Sequence, residues 1–271
     1  MAAKPGHGGA ERRALEIVIP IRHVWWIGLL ARHYAARKLH PLWILDANAH
    51  WLFRLWARLR LRRVVTVRAS APRAETMLGP AVSVLDCDWV VRMDGDELPS
   101  EALVAALHRL AAGELAEASG DIACLACARR WLRLEDGRVV FSRNRLFGRE
   151  GEDHQYRVFR RAGLAFTEAI HTPGFEVDTR RLRFLGPETC IWHFNWICYS
   201  TAERRAKITA YDAQAPDAGS DFRAFYLPEE APAGTHDWAP CPEPAVAAMC
   251  RRIARFRASP LCRLLLRIGP N

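Results

Sequence analysis

The sequence contains no uncharged apolar run of the ~18 residues that a membrane span requires. Residues 1–13 carry Lys4, Glu11, Arg12 and Arg13 among several glycines, without the apolar core of an export signal, and read as a loose leader. No Gly-x-Gly-x-x-Gly follows the first apolar run and no Walker lysine motif occurs, which argues against dinucleotide-binding and P-loop sites. Cys124 and Cys127 make one Cys-x-x-Cys, but no second pair completes a structural zinc centre. There is no internal repeat, and no block of like charge reads as a nucleic-acid tail. Zinc modules and nucleic-acid partners are set aside on these grounds.

What remains is a chain of 271 residues, half of them hydrophobic, with room for one α/β domain and its embellishments. A formal charge of +9 points to anionic partners such as nucleotides or acidic lipids. The eight cysteines, with no secretory signal, suit a reducing cytoplasm, and those within 122–127 read as small packing residues of a buried strand.

Hydrophobic spacing predicts strands over 15–21, 41–46, 64–67 and 89–93. Helices over 25–39, 49–59 and 73–85 alternate with them, and a fourth starts at Pro99-Ser100 with Leu103, Val104, Leu107 and Leu110 as its apolar positions. Such alternation argues for a parallel, doubly wound sheet, in which ligands sit beyond the carboxyl ends of the strands. Pro20, Asp46, the 70–73 loop with Arg73, and Asp94-Gly95-Asp96-Glu97 all follow strands and should converge on one crevice. Three carboxylates within four residues repel one another unless a cation or donor network sits among them. A divalent ion held by one or two carboxylates and a diphosphate answers that need; a solvated acidic turn is the plainer reading.

Further on, 121–134 and 138–141 read as paired strands about the Asp136-Gly137 turn. Strands follow over 153–161, 164–171 and 191–194. Ser200-Thr201-Ala202-Glu203 is a capping box opening a helix through Lys207 and Tyr211. Residues 213–244, rich in Pro, Ala, Gly and Asp, read as a long loop. Residues 245–268 read as two basic amphipathic helices divided at Pro260.

From about Leu15 to Tyr211 the chain resembles the family 2 glycosyltransferases. The resemblance rests on the apolar strand running into Asp94-Gly95-Asp96-Glu97 and Pro99-Ser100, on Arg157-Val158-Phe159-Arg160, on a following segment closing with His171, and on His193 before a helix. Thr172 stands where many of those enzymes have Glu. The resemblance implies a GT-A-like α/β fold: a mainly parallel sheet flanked by helices, here with a C-terminal helical extension. On it the chain divides into a leader (1–14), a donor half (15–115), an acceptor half (116–215), a Pro-rich loop (216–244) and a basic amphipathic tail (245–271).

The implied activity is inverting, metal-dependent transfer of a sugar from a nucleotide-diphosphate sugar to a glycan or glycoconjugate acceptor of the cell-envelope kind. The resemblance makes Asp96 a ligand of Mn²⁺ or Mg²⁺, with His193 as a further ligand or else a core histidine. Asp94 would face the ribose or a metal-bound water, and Asp46 the base or ribose, unless Asp46 caps the next helix. Arg73 would meet the base or diphosphate, and Gln155 and Arg157 the acceptor. Glu97 is a second-shell acid or a helix cap, and Trp192 and Trp196 stack on a ligand or pack in the core.

Glu168 is the chosen general base, with His171 placing the acceptor or diphosphate; Asp178 and Asp153 come next. In a strand, residues three apart face opposite ways, so one of Glu168 and His171 enters the site. The basic tail would hold a cytoplasmic enzyme on anionic lipid at the inner face of the membrane. A non-catalytic nucleotide-sugar or anionic-lipid binding module of the same fold, and a nucleotidyltransferase, are the alternatives.

Overall fold

The computed structural model describes residues 13–71, 73–144, 152–169 and 171–268. Residues 1–12 of the expected leader lie outside these, while Arg13 and Ala14 already belong to the first strand. Chain order is β1 (Arg13–Ile21), α1 (Ile27–Ala36), β2 (Leu42–Asp46), α2 (Trp51–Arg60), β3 (Val64–Val67), α3 (Glu75–Ser83) and β4 (Cys87–Arg92). Then come β5 (Glu97–Pro99), α4 (Glu101–Ala111), β6 (Cys124–Glu135), β7 (Arg138–Asn144), β8 (Asp153–Arg160), β9 (Leu182–Phe184) and β10 (Cys190–His193). The chain finishes with α5 (Asn195–Cys198), α6 (Thr201–Asp212), α7 (Arg223–Tyr226), β11 (His236–Pro240), α8 (Pro244–Ala258) and α9 (Pro260–Ile268).

The protein is α/β, with a mainly parallel central sheet flanked by helices. Strands β3, β2, β1 and β4 lie side by side, all parallel. β1 alternates between two cores: Ile17, Ile19 and Ile21 enter the larger one and Val18 the smaller. Burial on both faces is why its sequence is a continuous apolar run rather than an alternating one. Helices α1, α2 and α4 cover the larger core through Leu30, Phe53 and Leu107, and α3 covers the smaller through Leu78 and Val82.

Beyond β4 the sheet turns antiparallel. β8 lies between β4 and β6, and β7 closes a hairpin with β6. Asp136 and Gly137 both have positive φ at that turn, 47° and 77°, the geometry a two-residue hairpin prefers. Cys124 and Cys127 are buried in β6, and burial pushes the Cys124 thiol up to about 12.

Four departures from the sequence reading bear on the site. Pro99 does not open a helix: it ends β5, which pairs antiparallel with β10, and α4 starts two residues later under a Ser100 cap whose hydroxyl accepts from Leu103 N. The expected strand over 164–171 is reduced to one bridge between Phe166 and Phe175, because the chain reverses at Pro173-Gly174 and His171 adopts φ 59°. The expected loop over 213–244 contains α7 and an edge strand, β11, which pairs with β7 and is held partly by Arg133 stacked on Trp238 at 3.4 Å. The first half of the basic tail is core: α8 buries Val246, Met249, Cys250 and Ile253. Among the described residues, no helix is long and apolar enough to cross a membrane.

Candidate active site

The acidic segment leaves β4 at Arg92 and turns at Asp94-Gly95-Asp96. Gly95 is required there by space, since a Cβ would stand 2.6 Å from a Val24 methyl. Trp26 clamps the same turn by donating from Nε1 to the Gly95 carbonyl at 2.8 Å. The β5–β10 pairing then sets His193 opposite Glu97, with Phe194 N bonded to the Asp96 carbonyl. A three-residue strand is thus what brings His193 to the acidic turn.

The three carboxylates divide into two groups. Asp94 and Glu97 share Arg157, whose NH2 donates to Asp94 Oδ2 at 2.7 Å and to Glu97 Oε1 at 2.6 Å. Glu97 also accepts from Asp94 N, and Asp94 from Arg92 Nε. Arg92 reaches Glu75 at 2.9 Å and the Pro173 carbonyl at 2.9 Å, tying the 172–174 turn to the sheet. Burial works to raise the Asp94 pKa, but Arg157 and Arg92 overcome it and hold the carboxyl well below its usual range. Arg157 is 3 % exposed and spends its charge inside the protein.

Asp96 belongs to the second group. Its Oδ2 accepts from Asn195 Nδ2 at 2.9 Å and lies 3.3 Å from His193 Nε2. Burial pushes its pKa up, and His193, with Lys207 behind it, pulls it down further. His193 packs edge-on to Trp131 at 4.1 Å, and its Nδ1 is buried with no partner among the described residues. Asn195 Oδ1 is likewise buried and unpartnered. A carboxylate with an imidazole nitrogen facing it suits a hard cation that takes its other ligands from water or phosphate. Among the described residues, no group of three or more His, Cys, Asp or Glu side chains forms a ready metal cage.

Lys207 is the residue that sequence reasoning passed over. It projects from α6 between two rings, with Nζ 5.1 Å from Tyr226 and 5.6 Å from Tyr211. Among the described residues it makes no hydrogen bond or ion pair. Burial opposes its charge, but Tyr211, Tyr226 and Asp96 keep its pKa well above the usual lysine value. It is one of three lysines against 36 arginines. That rarity, with Tyr211 four residues on along a well-capped helix, was the available signal.

On the donor-half side, Asp46 closes β2 fully buried. Its Oδ1 accepts from Asn48 N at 2.8 Å, while Oδ2 has no hydrogen bond among the described residues and lies 3.5 Å from Arg22. It does not cap α2: His50 does, accepting from Leu52 N. Pro20 is buried in β1 opposite Ile44, and Arg73 is half-buried with Nε unpartnered among the described residues. His23, following β1, has both ring nitrogens buried without partners among the described residues, and its pKa falls to about 4 through burial and the neighbouring Arg22.

Gln155 does not stand free, since it donates to Asp153 at 2.8 Å. Asp153 also accepts from Arg129 and Trp131, which together overcome burial and lower its pKa. Glu168 is exposed and accepts from Ser70 at 2.8 Å, joining the 70–73 loop to the 164–169 segment. His171 instead lies against Phe222 and Tyr211, with Nε2 2.6 Å from the Ala218 carbonyl. Asp178 is engaged with Arg180 on the surface. Trp192 is in the core against Phe141, while Trp196 stacks with Trp131 at 5.1 Å and donates to Phe225 O.

Neither a protein-family model nor a curated protein matches the chain. Among solved structures it is similar to S. aureus TarS, residues 1–349, with TM-score 0.41 and 11% identity over 80% of this chain and 72% of that one. It is similar to 4-diphosphocytidyl-2C-methyl-D-erythritol synthase from Anaerococcus prevotii, with TM-score 0.33 and 11% identity over 56% and 73% of the two chains. It is also similar to mannose-1-phosphate geranyltransferase from Thermus thermophilus, with TM-score 0.31 and 11% identity over 83% and 76%. Similarity at this level carries no argument, and the functional reading rests on the site.

Proposed function

We propose that the chain is a transferase using nucleotide-diphosphate sugars, and specifically an inverting glycosyltransferase acting on a glycan or glycoconjugate acceptor. The observation that carries this reading is the second polar group: Asp96 and His193 in contact, with the half-buried Lys207, which has no ion pair among the described residues, beside them. It lies beyond the carboxyl ends of parallel strands, where α/β proteins bind nucleotides. A nucleotide diphosphate supplies an anion for Lys207, and the Asp46 oxygen facing Arg22 accepts a hydrogen bond from base or ribose.

Asp96 and His193 would hold Mn²⁺ or Mg²⁺, which when bound supplies positive charge to the departing diphosphate. The acceptor hydroxyl attacks the anomeric carbon as the carbon–oxygen bond to the diphosphate breaks, and Glu168 accepts its proton. Lys207 adds positive charge beside the departing diphosphate.

The test is calorimetry with a panel of nucleotide-diphosphate sugars, with and without Mn²⁺, followed by turnover with the donor that binds. Binding of at least one donor, strengthened by Mn²⁺, is expected. Glu168→Gln should lower turnover by about 10²–10⁴ with donor affinity retained, because the base serves the acceptor. His171→Asn should cost less. Failure of every donor to bind would overturn the reading; an unchanged rate in Glu168→Gln would overturn only the base.

A further inference from the structure

A second site, independent of the one above, lies on the outer side of the helical layer. Helices α1, α2 and α8, with the 39–43 and 61–63 segments, line an open cavity of about 870 Å³, walled by Trp25, Trp43, Trp56 and Phe256. Six arginines line it and no carboxylate does. Three of them have internal work: Arg63 pairs with Glu16, Arg32 donates to Gly28 O, and Arg60 stacks on Trp56 at 4.5 Å. The other three, Arg62, Arg252 and Arg255, are exposed and make no hydrogen bond or ion pair among the described residues.

The charge bias is written into the sequence. Between Asp46 and Glu75 there are seven arginines and no acid, and after Glu243 there are six arginines and no acid. Apart from His40, every polar side chain lining the cavity can only donate. Trp56 Nε1 is buried there without a partner among the described residues. The site therefore wants a ligand that brings acceptors and negative charge but no donors of its own.

The outward face of α2 adds an apolar component. Trp51, Leu55 and Leu59 recur every fourth residue and are 59%, 49% and 74% exposed. On α9, Leu261 and Leu264 are exposed as well. A stripe of large apolar side chains flanked by unpaired cations is the pattern of an interfacial helix rather than of a solvated one. A second copy of the chain is a poor occupant, because this face would set arginine against arginine. An extended peptide is poor too, since its N–H groups would meet few acceptors.

We propose that this face docks on an anionic bilayer, with the α2 stripe at the interface, Arg62, Arg252 and Arg255 on lipid phosphates, and an acyl chain in the cavity. The basic C-terminal segment contributes arginines, but its apolar positions in α8 are already used by the core.

The test is flotation of the full chain with vesicles of phosphatidylglycerol and phosphatidylcholine, against phosphatidylcholine alone. Binding to the anionic vesicles, released by salt, is expected. Arg252→Glu/Arg255→Glu and, separately, Trp51→Ser/Leu55→Ser/Leu59→Ser should each weaken it by at least about tenfold. All five residues are exposed, so unchanged circular dichroism and melting are expected for both variants. Phosphatidylglycerol with brominated acyl chains should quench tryptophan fluorescence, as a chain beside Trp25, Trp43 and Trp56 requires.

Equal flotation on both vesicle types, or of parent and stripe variant, would overturn the proposal. Flotation without quenching would overturn the acyl-chain site. A dimer in light scattering that the stripe variant dissolves, with no vesicle binding, would assign the face to a second copy and overturn it too.

Discussion

Two ionic groups lie within four residues of one another on the acidic turn, and they are built in opposite ways. In the first, Asp94 and Glu97 are closed around Arg157, and each carboxylate oxygen in the group has a donor within the protein. In the second, Asp96, His193, Asn195 and Lys207 are brought together with valence to spare. A closed group holds a turn in place; an open one is where a ligand can be bound. The apparent excess of negative charge in Asp94-Gly95-Asp96-Glu97 is thus mostly neutralised from β8, and a single carboxylate is left for a ligand.

The largest expected effect breaks the closed group. Arg157→Met takes the shared cation from buried Glu97 and half-buried Asp94, leaving them Arg129 and Arg92, and should destabilise the fold by up to about 3–5 kcal/mol in urea unfolding. Lys207→Met, removing a half-buried cation that has no ion pair among the described residues, should change stability little. Comparable losses in both variants would show that Lys207 has an internal partner after all.

Next comes ligand affinity. Asp96→Asn and Lys207→Met should each weaken Mn²⁺-dependent donor binding by about 10–100-fold in calorimetry, the worth of a charged hydrogen bond. Asp96→Asn alone should remove the Mn²⁺ dependence. If Lys207→Met binds donor as the parent does, its charge faces something else.

A smaller effect tests the turn that separates the groups. Gly95→Ala should cost about 1–3 kcal/mol, from the clash with Val24, and Val24→Ala should recover much of it. No recovery in the double variant would place the strain in the backbone instead.

The smallest effect is pH dependence near neutrality. His23 and His33 are both driven to about 4 from 6.5, chiefly by burial, so the unfolded chain binds protons first as the pH falls. Their contribution is complete above about pH 6.5 and is lost toward pH 4. The depressed carboxylates, Asp94 and Asp96, release their stability only below their unfolded value of 3.8, so the two windows separate. His23→Gln should flatten the slope between pH 6.5 and 4 in urea titrations. An unchanged slope would mean that the ring is solvated.

Much of the fold was legible because local pattern suffices for it. Val64-Val65-Thr66-Val67 forms the strand its β-branched residues predict, and Ser200 with Glu203 closes both halves of its capping box. The alternation of the first seven elements follows from apolar runs buried on two faces and from amphipathic helices covering them. What was not legible has no local period. β5 is three residues ending in proline, and β11 is a half-buried edge strand containing histidine, aspartate and proline. The segment from Leu164 carries apolar side chains at strand spacing, but the reversal at Pro173-Gly174 folds it back on 174–176 and limits its pairing to one bridge.

By itself the sequence determined that strands and helices alternate, that the acidic turn follows a buried strand, and that basic charge gathers in 47–74 and 244–271 without acids to offset it. Those are properties of neighbours along the chain. Only the tertiary structure decided which carboxylates are closed and which is open, since Arg157 meets its partners across 60 and 63 residues, and Asn195 reaches Asp96 across 99. Spacing can put charges near the same end of a sheet. Which of them desolvate together, and hence which remain free to bind, depends on contacts that form only when distant strands pair.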